Sequence, residues 1–222
     1  MSILFGLVIK KKFFLLDEFV TIFEKSTLCH NLIQHTFSPL LDYFPCKDFI
    51  QPNKKWCPYC FSEMDGNLYE PLIWAFYEYN ICHRHHIVLE TQCSDCKKNQ
   101  KTNSPIPIIG HCQFCGEYLG KISEFTKCST EYEIWSMNQI SLLILNFRVL
   151  IKRKNMIPAN IRIIFSDRPS LTIKEFGLYQ CYYYDYLHRG KKPTISSVLR
   201  ICKRLDTNIV DFISSDLYLK KY

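Results

Sequence analysis

Apolar positions recur at helical spacing near both ends of this chain and lose that period in the middle. From Leu15 to Glu24 they mark an amphipathic helix, Ser26-Thr27 breaks it, and a second apolar run through Leu32 and Leu40 closes near Pro45 and Pro52. Residues 1–52 therefore read as a short helical segment, with Phe13, Phe14, Tyr43 and Phe44 better placed as core than as a partner surface. Residues 53–122 hold only short strand-like or helical pieces, such as Pro71 to Asn80 and Ile87 to Glu90. So little continuous apolar surface cannot organise a fold unaided. The helical period returns at Trp135, Ile140, Leu143, Phe147 and Leu150. Ser129 or Thr130 can cap that helix, Glu131 and Glu133 suit its first turn, and Lys152, Arg153 and Lys154 suit its last. This predicts one connecting helix over residues 129–156, stopped by Pro158.

The remaining residues, 160–222, carry a different order. A short apolar helix from Leu171 to Phe176, a turn at Gly177, and a second helix from Leu178 to His188 with Tyr183, Tyr186 and Leu187 inward make a helix-turn-helix pattern. A basic turn follows at Arg189, Gly190, Lys191, Lys192 and Pro193. Thr194 or Ser196 then caps a helix carrying Ile195, Val198, Leu199, Ile201, Cys202 and Leu205, and a last short helix holds Ile209, Phe212 and Ile213. The order resembles the Cro/repressor-type DNA-binding domain. That resemblance implies that Tyr179, Gln180, Cys181 and Tyr182 face base edges, with the Gln180 amide suited to adenine, while Arg189, Lys191 and Lys192 clamp phosphate. Tyr182 and Tyr184 suit DNA contact and packing equally, since aromatic residues on an exposed helix face equally meet protein, and Asp185 would oppose phosphate.

The middle stretch supplies its own organiser. Four hooks of C-x2-C or C-x2-H spacing occur there, at Cys57/Cys60, Cys82/His85, Cys93/Cys96 and Cys112/Cys115. Paired hooks of this kind turn both side chains toward one ion, so two tetrahedral structural zinc sites are expected. His85 fits the hook best; His86, one residue on, stays possible, and His83 suits a supporting or surface role. The 15 residues between Cys96 and Cys112 match a zinc ribbon, and Gly116 stands where a hook ends in a left-handed conformation. The plain alternative is a set of buried thiols. His111, beside Cys112, reads as an exposed residue.

Of the 12 cysteines, five fall outside the quartets: Cys29, Cys46, Cys128, Cys181 and Cys202. That odd, irregular remainder argues against a disulfide framework and for a reducing cytoplasm. The apolar Met1 to Val8 precedes Lys10 to Lys12, the reverse of a secretory signal, and the run from Ile140 to Ile151 is too short to span a bilayer. The net charge of +7 is uneven: residues from Phe147 onward carry +9, leaving −2 before them. A basic end of this size suits nucleic acid, though it also serves solubility. The expected fold class is mainly α with small zinc-stabilised modules: two tandem zinc fingers or ribbons followed by a helix-turn-helix domain. Closed four-ligand sites leave no open position for water, which points to recognition rather than an enzyme.

The central motifs resemble the TniQ family, the target-selection proteins of Tn7-like transposons. The carrying residues are Trp56-Cys57-Pro58-Tyr59-Cys60, Glu70-Pro71-Leu72-Ile73-Trp74, Cys82-His83-Arg84-His85 with Ile87-Val88-Leu89, Cys93-Ser94-Asp95-Cys96, and Gly110-His111-Cys112-Gln113-Phe114-Cys115-Gly116. The resemblance covers residues 53–120. It implies a non-enzymatic adaptor that binds target DNA or a targeting complex, which could be a CRISPR effector or RNA, and recruits an AAA+ ATPase; a homodimer is compatible with it. Many members begin with a Ser- and Leu-rich helical motif that residues 1–50 do not clearly show. Two other classes stay open: a stand-alone DNA-binding transcriptional regulator, and a His-metal nuclease using His85 and His86. The nuclease lacks a downstream Asn and His pair to complete its site.

Overall fold

The computed structural model describes residues 14–45, 48–49, 51–102, 104, 108–122, 130–150, 155–167, 176, 184–186 and 188–215. Among these the regular structure is helical. The elements are α1 (Phe14–Thr27), α2 (Pro58–Ser62), α3 (Glu131–Leu145), α4 (Phe147–Leu150), α5 (Ile157–Asp167), α6 (Ile195–Arg204) and α7 (Ile209–Ser214), with 3-10 turns at Leu32–His35, Ser38–Asp42 and Leu72–Ala75. Strand pairing among the described residues is limited to isolated bridges. The chain divides into two compact units, one of residues 1–38 and 49–138, the other of residues 39–48 and 139–222. The first fifty residues are thus shared between the two units.

In the first unit, aromatic residues replace a regular sheet or bundle as the packing material. Phe37, Phe49 and Phe76 form a three-ring cluster with centroids 4.8–5.4 Å apart, two of the pairs edge to face. Phe61 meets Trp74 edge to face at 5.4 Å. Lys55 is buried in this unit. Its Nζ donates to the carbonyls of Phe76, Tyr77 and Tyr79 and to Asn80 Oδ1, at 2.5–3.1 Å. Burial pushes its pKa down to about 7, with Glu78 pulling the other way. The ammonium pins a loop whose carbonyls have no ladder to join.

In the second unit the expected caps and faces are present. Thr194 caps α6 by accepting from Ser197 N, and the apolar face Ile195, Val198, Leu199, Ile201 and Cys202 is buried. Asn208 caps α7, which buries Ile209, Phe212 and Ile213 and packs against α4, α5 and α6. Tyr43 and Phe44 are core, as expected, and Tyr43 Oη donates to the Leu150 carbonyl. The connecting helix departs from expectation. Thr130 and Glu133 make a reciprocal capping box at the start of α3. The helix then breaks at Asn146, whose side chain turns back to the Leu142 carbonyl, instead of running on to residue 156. Pro158 sits in the first turn of α5, where its missing N–H costs nothing.

Phe13, Ser129, the basic run Lys152–Lys154 and the predicted turn at Gly177 lie outside the described residues, as do Tyr179, Gln180, Cys181, Tyr182, Tyr183 and Leu187. Of the helix expected from Leu171 to Phe176, only Phe176 is described. Residues 184–186 are helical. No helix among the described residues is long and apolar enough to cross a membrane.

Candidate metal centre

Three of the four hooks are copies of one hairpin. In each, the first ligand's N–H bonds to the carbonyl five residues on: Cys82 to Ile87, Cys93 to Lys98, Cys112 to Glu117, at 2.8–3.1 Å. The first ligand's carbonyl accepts from the residue four on, which is His86, Lys97 or Gly116. The flanking residues form antiparallel bridges, Ile81 with Val88, Gln92 with Asn99 and His111 with Tyr118. The turn requires a left-handed residue just after the second ligand, and His86, Lys97 and Gly116 take φ of 52°, 59° and 77°. Gly116 meets that demand without a side chain, as its position predicted. The first hook differs: Cys57 is the N-cap of α2, its Sγ accepting from Cys60 N, with Pro58 in the first helical turn.

These turns bring all eight predicted ligands into two quartets, Cys57, Cys60, Cys82 and His85, and Cys93, Cys96, Cys112 and Cys115. Within each, the ligand atoms lie within 4.8 Å of one another. His85 presents Nδ1 to the three sulfurs at 3.3, 3.3 and 3.6 Å, and Cys60 Sγ lies 3.5 Å from Cys82 Sγ. In the second quartet the Cys93–Cys115 and Cys96–Cys112 sulfurs are 3.7 and 3.6 Å apart. A tetrahedron with metal–sulfur bonds of about 2.3 Å and metal–nitrogen bonds of about 2.0 Å has edges of roughly 3.5–3.8 Å. The observed separations of 3.3–3.7 Å come within about 0.2 Å of these edges, so each quartet could hold one metal ion. His83 instead bonds the Tyr79 hydroxyl through Nδ1 at 2.7 Å, and His111 faces the Ile109 carbonyl.

The electrostatics call for a cation. Cys82 is drawn down to about 4, chiefly by hydrogen bonding from Cys57, whose own thiol is pushed up by that bond and then by burial. Burial raises Cys60 to about 11. Three thiols this close cannot ionise together until a bound cation deprotonates them. Cys112 is opposed by burial, but N–H groups of Cys115 and Phe114 outweigh it and hold the thiol at about 6.

Two supporting residues were not anticipated from the sequence. Glu63, which ends α2, accepts from His85 Nε2 at 2.8 Å and from Arg84 at 2.9 Å, fixing the tautomer that leaves Nδ1 free for the metal side. Gln100 is fully buried; its Nε2 donates to Cys112 Sγ at 3.3 Å and its Oε1 accepts from Gln113 N. Both quartets belong to one unit and are tied together there, Trp56 Nε1 to the Leu119 carbonyl at 3.1 Å and Tyr118 Oη to the Phe61 carbonyl at 2.5 Å.

Of the residues expected at DNA, three are described. Arg189 and Lys191 both pair with Asp185, at 3.1 and 2.6 Å, and Lys192 Nζ donates to the Leu41 carbonyl. No family model matches the chain, and no curated protein is similar to it at a significant level.

Proposed function

We propose that the protein is a zinc-bearing, non-enzymatic DNA-binding adaptor of the TniQ type, which selects a transposition target and recruits an AAA+ ATPase. The observation that carries this reading is the pair of closed quartets fused in one unit. Sulfur-rich donor sets at tetrahedral edge lengths suit zinc, and four protein ligands leave no coordination position for substrate. Each ion therefore acts as a cross-link that shapes a recognition surface. The order of motifs in residues 53–120 supports the family, and the capped helices α6 and α7 after a basic turn support a DNA-binding end.

In this reading Arg189, Lys191 and Lys192 meet phosphate, and the segment 179–182 meets bases. The experiment is a binding assay on the purified chain with duplex DNA, with and without an AAA+ ATPase encoded beside it, repeated for Cys57→Ser and for Lys191→Ala with Lys192→Ala. The adaptor reading expects ATPase capture to fail with Cys57→Ser and DNA binding to fail with the lysine pair. Tight binding to a defined operator with no ATPase capture would instead make the protein a stand-alone regulator.

A further inference from the structure

The two quartets differ in how exposed their ligand residues are. In the first, Cys57, Cys60 and Cys82 are all buried, and the one less buried ligand, His85, is covered by the stacked Tyr59 ring at 5.5 Å and by Glu63. In the second, Cys93 and Cys112 are buried, Cys96 is partly open and Cys115 is exposed. The residues flanking Cys115, Phe114 and Gly116, are exposed as well. Cys115 Sγ lies 3.7 Å from Cys93 Sγ, so the sulfur of this exposed residue has a ready partner.

We propose that Cys115 is an oxidant-addressed modification site: a peroxide attacks it first, a Cys93–Cys115 disulfide closes, and the second quartet loses its metal while the first keeps its own. The step balances on the chain's own sulfurs and one peroxide. The Cys115 thiolate takes one peroxide oxygen, forming an S–O bond as the O–O bond breaks and hydroxide leaves. Cys93 sulfur then attacks Cys115 Sγ, the S–S bond forms, and the hydroxyl leaves as water once protonated. Two electrons pass from the two sulfurs to the peroxide. Two of four ligands are then gone, too few to hold a structural ion. Three properties make this selective: exposure, a resolving sulfur in reach, and a shielded sister site in the same unit. The inference goes beyond the adaptor reading and rests only on both quartets holding metal.

The test treats the zinc-loaded full-length protein with rising hydrogen peroxide, follows zinc release with a chromogenic chelator, and maps oxidised cysteines by mass spectrometry. The expected result is release of one zinc well before the other, with Cys93 and Cys115 linked while Cys57, Cys60 and Cys82 remain reduced. Cys115→His, which keeps a four-ligand set without the exposed sulfur, is expected to slow the first release at least about fivefold. Simultaneous release of both ions, or oxidation of the first quartet first, overturns the proposal. So does an unchanged first phase in Cys115→His; if that variant fails to load its second ion, the peptide map of the unaltered protein decides. A protein that loads fewer than two ions before any peroxide overturns the zinc reading itself, a distinct outcome.

Discussion

Glu63 Oε1 lies 2.8 Å from His85 Nε2, on the side of the imidazole opposite the three sulfurs of the first quartet. The carboxylate does two things. It holds the ring in one tautomer, and it raises the basicity of Nδ1 toward the metal. The hydrogen bond to His85 lowers the Glu63 pKa, so the carboxylate stays charged through neutral pH. Glu63→Ala is expected to weaken metal binding at the first quartet by about 10–100-fold, leaving the second unchanged, and Glu63→Gln should fall between. Competition against a chelator of known affinity measures both. Equal weakening at the two quartets would show a general loss of fold.

Gln100 links the second quartet to the loop beneath it with one amide. Replacing it with Ala leaves the Gln113 N–H and the Lys98 carbonyl without this buried partner and strips one donor from Cys112 Sγ. The Lys98 carbonyl keeps the Cys93 N–H, so a loss of about 1–3 kcal/mol is expected, from the Gln113 N–H left unpaired. Gln100→Glu should be worse, because a carboxylate repels a thiolate 3.3 Å away. Denaturant midpoints of the zinc-loaded proteins would order the three, and a Gln100→Glu protein as stable as the parent would count against this role.

Chelation should unfold one unit and spare the other. Residues 53–120 are built from knuckles, bridges and aromatic contacts, so removing metal is expected to unfold them. The apolar faces of α5, α6 and α7 are buried in the other unit without any metal ligand. Circular dichroism should therefore keep much of its helical signal after a strong chelator, while protease cuts appear within residues 53–120. Unchanged protease resistance would argue against structural metal.

The parts legible in the sequence are those whose physics is local. Hook spacing named all eight residues that the fold gathers into the two quartets, because two side chains on one short turn need no distant partner. Caps and helical period placed α6 and α7 for the same reason. Long-range residues were hidden: no motif or periodicity singles out Lys55, and only the fold brings three carbonyls round its ammonium. Glu63 lies 22 residues from His85, with no spacing rule to join them. The three-fold hairpin repeat was masked because its left-handed position holds His86, Lys97 and Gly116, three unlike residues. The break at Asn146 was missed because apolar period continues across it, and a side-chain bond to the preceding turn leaves no mark in periodicity.

Asn160 is a fully buried amide on α5, its Nδ2 donating to the Phe212 and Ser215 carbonyls at 2.8 Å each. These bonds close the end of α7 onto α5. Asn160→Ala is expected to cost about 2–4 kcal/mol, since two carbonyls lose a buried donor. Thermal unfolding of the second unit after chelation measures it, and a shift too small to detect would remove the lock from the account.

Asp185 sets how much positive charge the basic turn offers. Lys191 and Arg189 both bond its carboxylate, and the Lys191 bond foremost lowers its pKa. A carboxyl lowered on folding adds stability above its unfolded value, about pH 4, and that contribution fades as pH falls through the folded value. Asp185→Asn should therefore reduce stability at pH 7 and leave the most acid part of the profile nearly unchanged. The same substitution releases two cations, whose side chains are more than half exposed, from a competing anion. If the turn meets phosphate, duplex DNA should bind Asp185→Asn more tightly at low salt, with a steeper fall in log K against log salt, by up to about two charges. Weaker or unchanged DNA binding, in a variant shown to be folded, would take Arg189 and Lys191 out of the phosphate-contact role.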